Sequence, residues 1–153
     1  SGDSGARPYS TGEKPALVRV GARAEWEQAV EVDRAAFPVA WRLGRHGLEE
    51  SRDSTPWSTF LVAAGPTASP IAGFAVVGLS TATGYLQRLA VHPGHQGAGV
   101  GRALVRASLR WAHKRGARTM LLNTQPDNAV AARLYGQEGF TQMVERLAIL
   151  RHE

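Results

Sequence analysis

The chain has 153 residues, 43% of them hydrophobic, which suits one domain with a buried core and excludes a chain that is disordered throughout. It has no cysteine, which excludes disulfides, thiolate metal sites and transfer of an acyl group through a cysteinyl intermediate. Its formal net charge is +5 at pH 7, which is compatible with nucleic acid, ribosomes or an anionic ligand, although a solvated basic surface is the default interpretation.

Partners and location follow from the same features. The sequence contains no block of Lys and Arg with interleaved aromatic residues, so we expect no dedicated nucleic-acid site. No apolar run is long enough to predict a membrane span, and no signal-peptide pattern is present. The missing cysteines suit a cytoplasmic protein, which is the location we expect. The oligomeric state is left open, with a homodimer among the options.

Residues 1–15 are rich in Gly, Ser and Pro and are predicted to form a disordered lead-in. A single domain is expected over residues 16–153. Residue 1 is Ser rather than Met, so it is expected to result from processing or expression.

The next part of the chain predicts short strands and two helices. Apolar residues at helical spacing run to Phe37, and Pro38 ends that helix. The predicted elements are a strand at 16–20, a helix at 24–37, a short helix within 45–52, and strands at 59–63, 71–79 and 85–91. Turn residues at 65–70 indicate a hairpin, and 80–84 is predicted to turn into the last of these strands.

The helix predicted at 99–115 is the clearest element of the chain. Its buried stripe is predicted to consist of Leu104, Val105, Ser108, Trp111 and Ala112. Gly116 is predicted to end it, and a strand at 119–124, a helix at 128–138 and one or two strands within 140–150 follow. This order predicts an α/β protein of the α+β type, whose mixed central sheet has an antiparallel N-terminal meander followed by parallel strands.

The stretch that joins the strand at 85–91 to this helix predicts a phosphate site. A turn at 92–95 is followed by glycines at 97, 99 and 101 that open the helix. The first N–H groups of a helix have no partner inside it, and glycine lets a ligand approach the backbone. A P-loop is excluded because Arg102 and Ala103 follow Gly101, and the dinucleotide fingerprint fails at its third position. A tight turn before a closely packed helix is the alternative.

What fits is Gln-x-x-Gly-x-Gly, at Gln96, Gly99 and Gly101, after Leu89-Ala90-Val91-His92-Pro93. This pattern resembles the acyl-CoA signature of the GNAT superfamily of N-acetyltransferases. The resemblance implies the GNAT fold, with acetyl-CoA as cosubstrate and no metal. The cofactor-binding residues that it implies are Leu89, Ala90, Val91, Gln96, Gly97, Ala98, Gly99, Val100, Gly101, Arg102 and Asn128. Of these, the three strand residues would bind pantetheine and polarise the acetyl carbonyl through backbone groups.

A second motif resembles the family's Asn-x-x-Ala-x-x-Leu-Tyr-x-x-x-Gly-Phe helix. The matching positions are Asn128, Ala131, Leu134, Tyr135, Gly139 and Phe140. The resemblance implies that Asn128 contacts CoA and that Tyr135 is the general acid. A phenol with a pKa near about 10 can protonate a departing thiolate, whose thiol has a pKa near about 8.5, only when it is well placed. Packing in the core is the alternative for Tyr135, but Leu134 already serves that face.

The general base is left unassigned. Relatives that acetylate the N-termini of ribosomal proteins have a Glu in the strand before the Asn helix, and the matching residue here is Asn123. An amide cannot take up the proton, so this role does not carry over. The candidates are Glu49, Glu50, Asp53 and a water relayed through backbone groups. His92 and His95 are interpreted as turn residues.

One further segment, Phe37-Pro38-Val39-Ala40-Trp41, loosely resembles the ribosomal-protein N-terminal acetyltransferase branch, but it lacks the Pro before Trp41. A helix stop with aromatic residues that close the core explains it equally well.

We therefore expect an enzyme, a GNAT-family N-acetyltransferase that transfers acetyl directly from acetyl-CoA to a primary amine in a ternary complex. The acceptor would be a peptide or protein N-terminus or a small-molecule amine. Two alternatives come from other classes: an acyl-CoA-binding regulatory module without turnover, and a basic nucleic-acid-binding domain whose glycine loop holds phosphates.

Overall fold

The computed structural model describes residues 17–65, 70–97, 99–123, 140–142 and 147–152. The strands are β1 Val18–Val20, β2 Trp57–Ala64, β3 Ile71–Ser80, β4 Thr83–Val91, β5 Thr119–Asn123, β6 Phe140–Gln142 and β7 Leu147–His152. The α-helices in these ranges are α1 Trp26–Ala36, α2 Gly44–Asp53 and α3 Val100–Lys114. The predicted lead-in at 1–15 and the predicted helix at 128–138 lie outside the described residues.

All the described strands belong to one mixed sheet with the order β1-β2-β3-β4-β5-β7-β6. Strands β1 to β4 form an antiparallel meander, and β5 then pairs parallel to β4, with α3 as the crossover between them. Strands β7 and β6 extend the sheet by antiparallel pairing. The predicted mixed sheet is therefore confirmed, with its parallel pair on either side of the α3 connection.

Helices cover both faces of the sheet and divide the core in two. On one face α3 packs on the sheet, and the predicted stripe residues Leu104, Val105, Ser108 and Ala112 are buried there. On the other face α1 and α2 pack over Val62, Phe74, Val76 and Ala90. Strand β3 lies between these layers and is buried from Ile71 to Leu79, so its sequence is a continuous apolar run rather than an alternating one.

The predicted ends of elements were right to within a few residues, and the differences have local causes. A short 3₁₀ turn, Arg23–Glu25, precedes α1, which begins at Trp26. The β3–β4 hairpin has the tight turn Thr81–Ala82, and the pair Ser80↔Thr83 continues the ladder, so β4 begins before the predicted Tyr85. Gly116 has a φ of +95°, which only glycine adopts easily, and follows α3 as predicted.

An ion pair ties the edge strand β1 to the 3₁₀ turn that precedes α1. The Arg19 guanidinium donates hydrogen bonds of 2.8 and 2.7 Å to the two carboxylate oxygens of Glu25. Together with the Ala22 N–H, these bonds lower the pKa of Glu25 to about 2. The carboxylate is therefore ionised at neutral pH.

None of the helices in the described ranges combines the length and the apolar character needed to cross a bilayer.

Candidate active site

The turn between β4 and α3 is built from the residues that the sequence indicated. His92 accepts a hydrogen bond of 3.0 Å from the Gly94 N–H at its Nδ1 atom, and Pro93–His95 forms a 3₁₀ turn. The His92 and His95 rings meet edge to face, with centroids 5.8 Å apart. Both histidines therefore shape the turn, as predicted.

Two glycines in this loop have a backbone that other residues rarely adopt. Gly97 and Gly99 have φ values of +87° and +84°, in the left-handed region. Gly99 is the N-cap residue of α3 and offers no side chain to cap it. Gly101 is the second residue of α3 and is not among the residues with positive φ.

The N-terminus of α3 begins with backbone N–H groups that no side chain among the described residues caps. The first bond of the helix runs from the Ala103 N–H to the Gly99 carbonyl, at 3.0 Å. The N–H groups of Val100 and Gly101, the first two residues of the helix, precede this bond, and the first turn has no acidic residue. These N–H groups and the positive end of the helix dipole suit an anion.

Gln96 joins the loop to the end of the strand. Its Nε2 atom donates a hydrogen bond of 3.2 Å to the Val91 carbonyl, while the side chain stays exposed. The Gln of the predicted motif therefore holds the loop against β4 in this structure.

The N-terminal end of α3 also lies close to the sheet. A Cβ on Gly73 would come within 2.8 Å of the Ala90 carbonyl oxygen and 3.1 Å of Val100 Cγ1 and Leu104 Cδ1. Only glycine fits at that point of β3. The first turn of α3 therefore packs directly beside the last residues of β4.

Beyond its midpoint β4 has a strand partner on only one side among the described residues. The described pairing with β5 ends at Leu86↔Leu122, whereas pairing with β3 continues to Val91↔Gly73. The His92 N–H donates to Ala72 of β3, and the Val91 carbonyl points the other way, toward Gln96. Because backbone groups alternate along a strand, the N–H and carbonyl of Leu89 face the same way as those of Val91, away from β3.

This alternation separates the three predicted strand residues. The Ala90 carbonyl lies on the β3 side, as its distance to Gly73 shows, and its side chain is buried under α1 and α2. Leu89 and Val91 pack on the α3 core and direct their backbone groups to the open side. The Gln96–Val91 hydrogen bond and the packing of Leu89 and Val91 on the α3 core therefore join the loop, α3 and this edge of β4.

Other predicted site residues are outside this surface or outside the described residues. Ala98, Asn128 and Tyr135 lie outside the described residues. Asn123 is the last residue of β5, and its backbone pairs with Leu147 of β7.

Two of the predicted base candidates are exposed and lie beside a histidine or an arginine side chain. Glu50 lies 3.3 Å from the Nε2 atom of His46, and Asp53 lies 3.0 Å from the Nε atom of Arg52. Their side chains are 70% and 67% exposed. Glu49 is half-buried on the same helix.

A buried ion pair, which the sequence alone did not predict, lies on the opposite face of β4. Asp33 of α1 is fully buried, and its Oδ1 atom accepts a hydrogen bond of 2.7 Å from Arg88 Nε. A signal was available, because Trp26, Ala29, Val30 and Asp33 fall on one helical stripe. An acid on an apolar stripe requires a partner, but the partner's position depends on the fold.

The comparison with known families decides the identity of this arrangement. The model of the Acetyltransferase (GNAT) family matches residues 26–140, most of the chain. The chain belongs to this family. The match covers both the β4–α3 loop and the second motif, so the resemblance of both motifs to GNAT sequences was correct at the level of the family.

Similar proteins agree with the assignment to the GNAT family. The chain is 36% identical over 138 residues to a mycothiol acetyltransferase from Amycolatopsis mediterranei, an alignment that covers 85% of this chain and 43% of that protein. The chain therefore spans less than half the length of that relative.

Solved structures share the fold. The ribosomal-protein-S18-alanine N-acetyltransferase of Escherichia coli superposes with a TM-score of 0.72 at 20% identity, over 88% of this chain and 90% of that one. The PaiA N-acetyltransferase of Thermoplasma acidophilum, determined in complex with coenzyme A, gives 0.73 at 18% identity, over 92% and 99%.

Proposed function

We propose that this chain is an acetyl-CoA-dependent N-acetyltransferase that transfers acetyl directly to a primary amine in a ternary complex. The observation that supports it best is the uncapped N-terminus of α3 beside the open edge of β4. A structural neighbour bound to coenzyme A supports the same ligand.

The loop residues fit the pyrophosphate of CoA. The N–H groups of Val100 and Gly101 lie at the start of the helix, and no acidic side chain in the first turn repels an anion. The glycines at 97, 99 and 101 keep Cβ atoms out of this space. Gln96 supports the loop, and the Arg102 side chain adds a positive charge at the same end of the helix.

The open edge of β4 fits the rest of the cosubstrate. Pantetheine is an extended chain with amide groups, so it can add to β4 where β5 no longer pairs, through backbone groups of Val91. The Leu89 N–H then donates to the acetyl carbonyl oxygen and stabilises the negative charge that develops there. The Ala90 side chain packs in the core, and its backbone groups face β3 rather than the cosubstrate.

For Tyr135 and Asn128 the proposal depends on the sequence motif alone. Asn128 would contact CoA, and the Tyr135 hydroxyl would donate its proton to the departing thiolate sulfur. No cysteine is available for a covalent intermediate, so the amine attacks the thioester directly.

The acceptor that we propose is an amine of low pKa. Asn123 stands where some relatives have a Glu, and Glu50 and Asp53 are exposed and paired. Without a strong base the amine must lose its proton on its own. With pKa values near about 8 and 10.4, roughly a tenth of an α-amine but under about a thousandth of a Lys side chain is neutral at pH 7.

The names of the similar proteins point to two kinds of acceptor. One is named for mycothiol and another for an alanine of a ribosomal protein. A peptide N-terminus and a small-molecule amine both satisfy the pKa argument, so both belong in the test.

A matched set of acceptors tests the proposal. One peptide has a free N-terminus and no Lys, its partner has a blocked N-terminus and one Lys, and a panel of small amines is added. We expect kcat/KM at pH 7 to be on the order of a hundredfold higher for the free N-terminus or for a small amine than for the Lys peptide. The advantage should shrink as the pH rises toward the Lys pKa.

Two results would contradict this proposal. Faster acetylation of the blocked Lys peptide would indicate a base that the described residues do not supply. Tight CoA binding without acetylation of any amine would favour a regulatory module without turnover.

A further inference from the structure

The strand β4 has a bulge directly before the residues that face the open edge. Val76 of β3 pairs with Arg88 and Val77 pairs with Leu86, so Gln87 is an extra residue without a partner in this ladder. A bulge changes which face the following residues point to and sharpens the local twist. Leu86 faces the α3 core, whereas Arg88 faces α1 on the other side of the sheet.

The bulged residues are held by specific hydrogen bonds. Gln87 donates from Nε2 to the Ser54 hydroxyl at 3.0 Å, next to the end of α2. Arg88 donates from Nε to Asp33 Oδ1 at 2.7 Å and from Nη2 to the Trp41 carbonyl at 2.6 Å. Its guanidinium also lies 3.7 Å from the centroid of the Phe37 ring.

Asp33 connects this strand to the segment that follows α1. Its Oδ2 atom accepts a hydrogen bond of 3.0 Å from the Leu43 N–H, so both of its oxygens are used. Its side chain is 1% exposed and that of Arg88 is 10% exposed. One buried carboxylate therefore fixes the position of α1, of residues 37–43 and of the bulge relative to each other.

Stability alone is a weak explanation for this ion pair. Burying two charges costs desolvation energy, and well-packed apolar residues often serve equally well or better. The pair instead fixes an orientation, because its hydrogen bonds set the rotation of the β4 backbone at Arg88. The next residue is Leu89, whose N–H faces the open edge.

We propose that Asp33 and Arg88 are positioning residues that fix the β4 bulge and thereby aim the Leu89 N–H at the acetyl carbonyl. This inference rests on the proposed function, in which that N–H polarises the thioester. A donor that is displaced by about 1 Å loses most of its effect on the transition state, whereas binding of the CoA phosphates at α3 is unaffected.

The test compares the wild type with Asp33→Leu/Arg88→Met, which replaces the pair with apolar side chains of similar size. We expect the CoA Kd to stay within about threefold and kcat to fall by on the order of tenfold to a hundredfold. The infrared carbonyl band of bound acetyl-CoA, labelled with ¹³C at the acetyl carbonyl, should shift less from its free value in the variant. That band reports polarisation, which a purely structural role would not change.

Two further variants make the test decisive. Arg88→Lys keeps the charge but loses the planar set of donors, and it should give an intermediate kcat and an intermediate band position. Glu25→Gln removes the remote ion pair with Arg19 and serves as the matched control, with kcat and band unchanged.

Three outcomes would overturn the inference. These are wild-type kcat and band position in the apolar double variant, loss of CoA affinity in parallel with kcat, and failure of both the double variant and Arg88→Lys to fold. A wild-type protein that binds no acetyl-CoA or acetylates no amine would instead refute the proposed function itself.

Discussion

The two faces of β4 near its end are built in different ways. On the α3 face the loop from Gln96 to Gly101 supplies backbone donors and space, and its only side-chain bond described here runs from Gln96 to the strand. On the α1 face a buried carboxylate and a guanidinium, 55 residues apart in the sequence, hold the bulge. The first arrangement suits binding of an anionic ligand, and the second suits orientation of one backbone group.

Because the two faces differ in this way, we expect CoA binding and turnover to be separable by mutation. Changes on the α3 face should act on CoA affinity, and changes beside the reacting group should act on kcat. The predictions below follow this division, in order of decreasing expected effect.

The largest effect is expected for Gly101→Val. The added branches would occupy the space in front of the first N–H groups of α3, where we place the phosphates. Loss of two charge-assisted hydrogen bonds at about 2 kcal/mol each corresponds to a CoA affinity lower by a factor on the order of a thousand. Calorimetric titration with CoA measures it, and circular dichroism checks that the protein is folded.

Gly101 is a better choice than Gly99 for this experiment. Gly99 has a φ of +84°, so valine there would strain the backbone whatever the ligand does. Arg110→Val, at an exposed position further along α3, is the control for the helix penalty of a β-branched residue. Undiminished affinity in a folded Gly101→Val protein would mean that CoA binds elsewhere.

A smaller effect, and on a different constant, is expected for Tyr135→Phe. Loss of the proposed general acid should lower kcat by on the order of tenfold to a thousandfold with little change in CoA affinity. Steady-state kinetics with a working acceptor measure it, and Tyr85→Phe in β4 is the matched control. An unchanged kcat would leave Tyr135 a packing residue, and an equal loss of affinity would make it a binding residue. The Asp33 and Arg88 variants are expected to lower kcat by less than Tyr135→Phe does.

Much of the fold was accessible from the sequence because it depends on local patterns. The stripe from Leu104 to Ala112, the stop at Pro38 and the turn at Gly116 each depend on neighbours within one or two helical turns. The observed starts of β4 and α1 each differ from the predicted ones by two residues. A tight turn precedes β4 and a 3₁₀ turn precedes α1, and both are decided by backbone details that side-chain patterns do not record.

The site could be predicted only in part, because some of its features depend on contacts that are not local in the sequence. The motif from Gln96 to Gly101 lies in one short segment, so its spacing could be checked directly. That Leu89 rather than Ala90 faces the open edge depends on the register with β3 and on the bulge at Gln87. The partner of Asp33 depends on how α1 packs on β4, which no local pattern encodes.

The central claim is that CoA binds across the N-terminus of α3 and the open edge of β4. Titration of ¹⁵N-labelled protein with CoA, followed by amide chemical shifts, tests this most directly, since the proposed ligands are themselves backbone N–H groups. We predict the largest shifts at Val100, Gly101, Arg102 and Leu89, with small shifts at Arg110 and along α1. Shifts concentrated on the basic face of α3 near Arg110, with those four amides unmoved, would contradict the account.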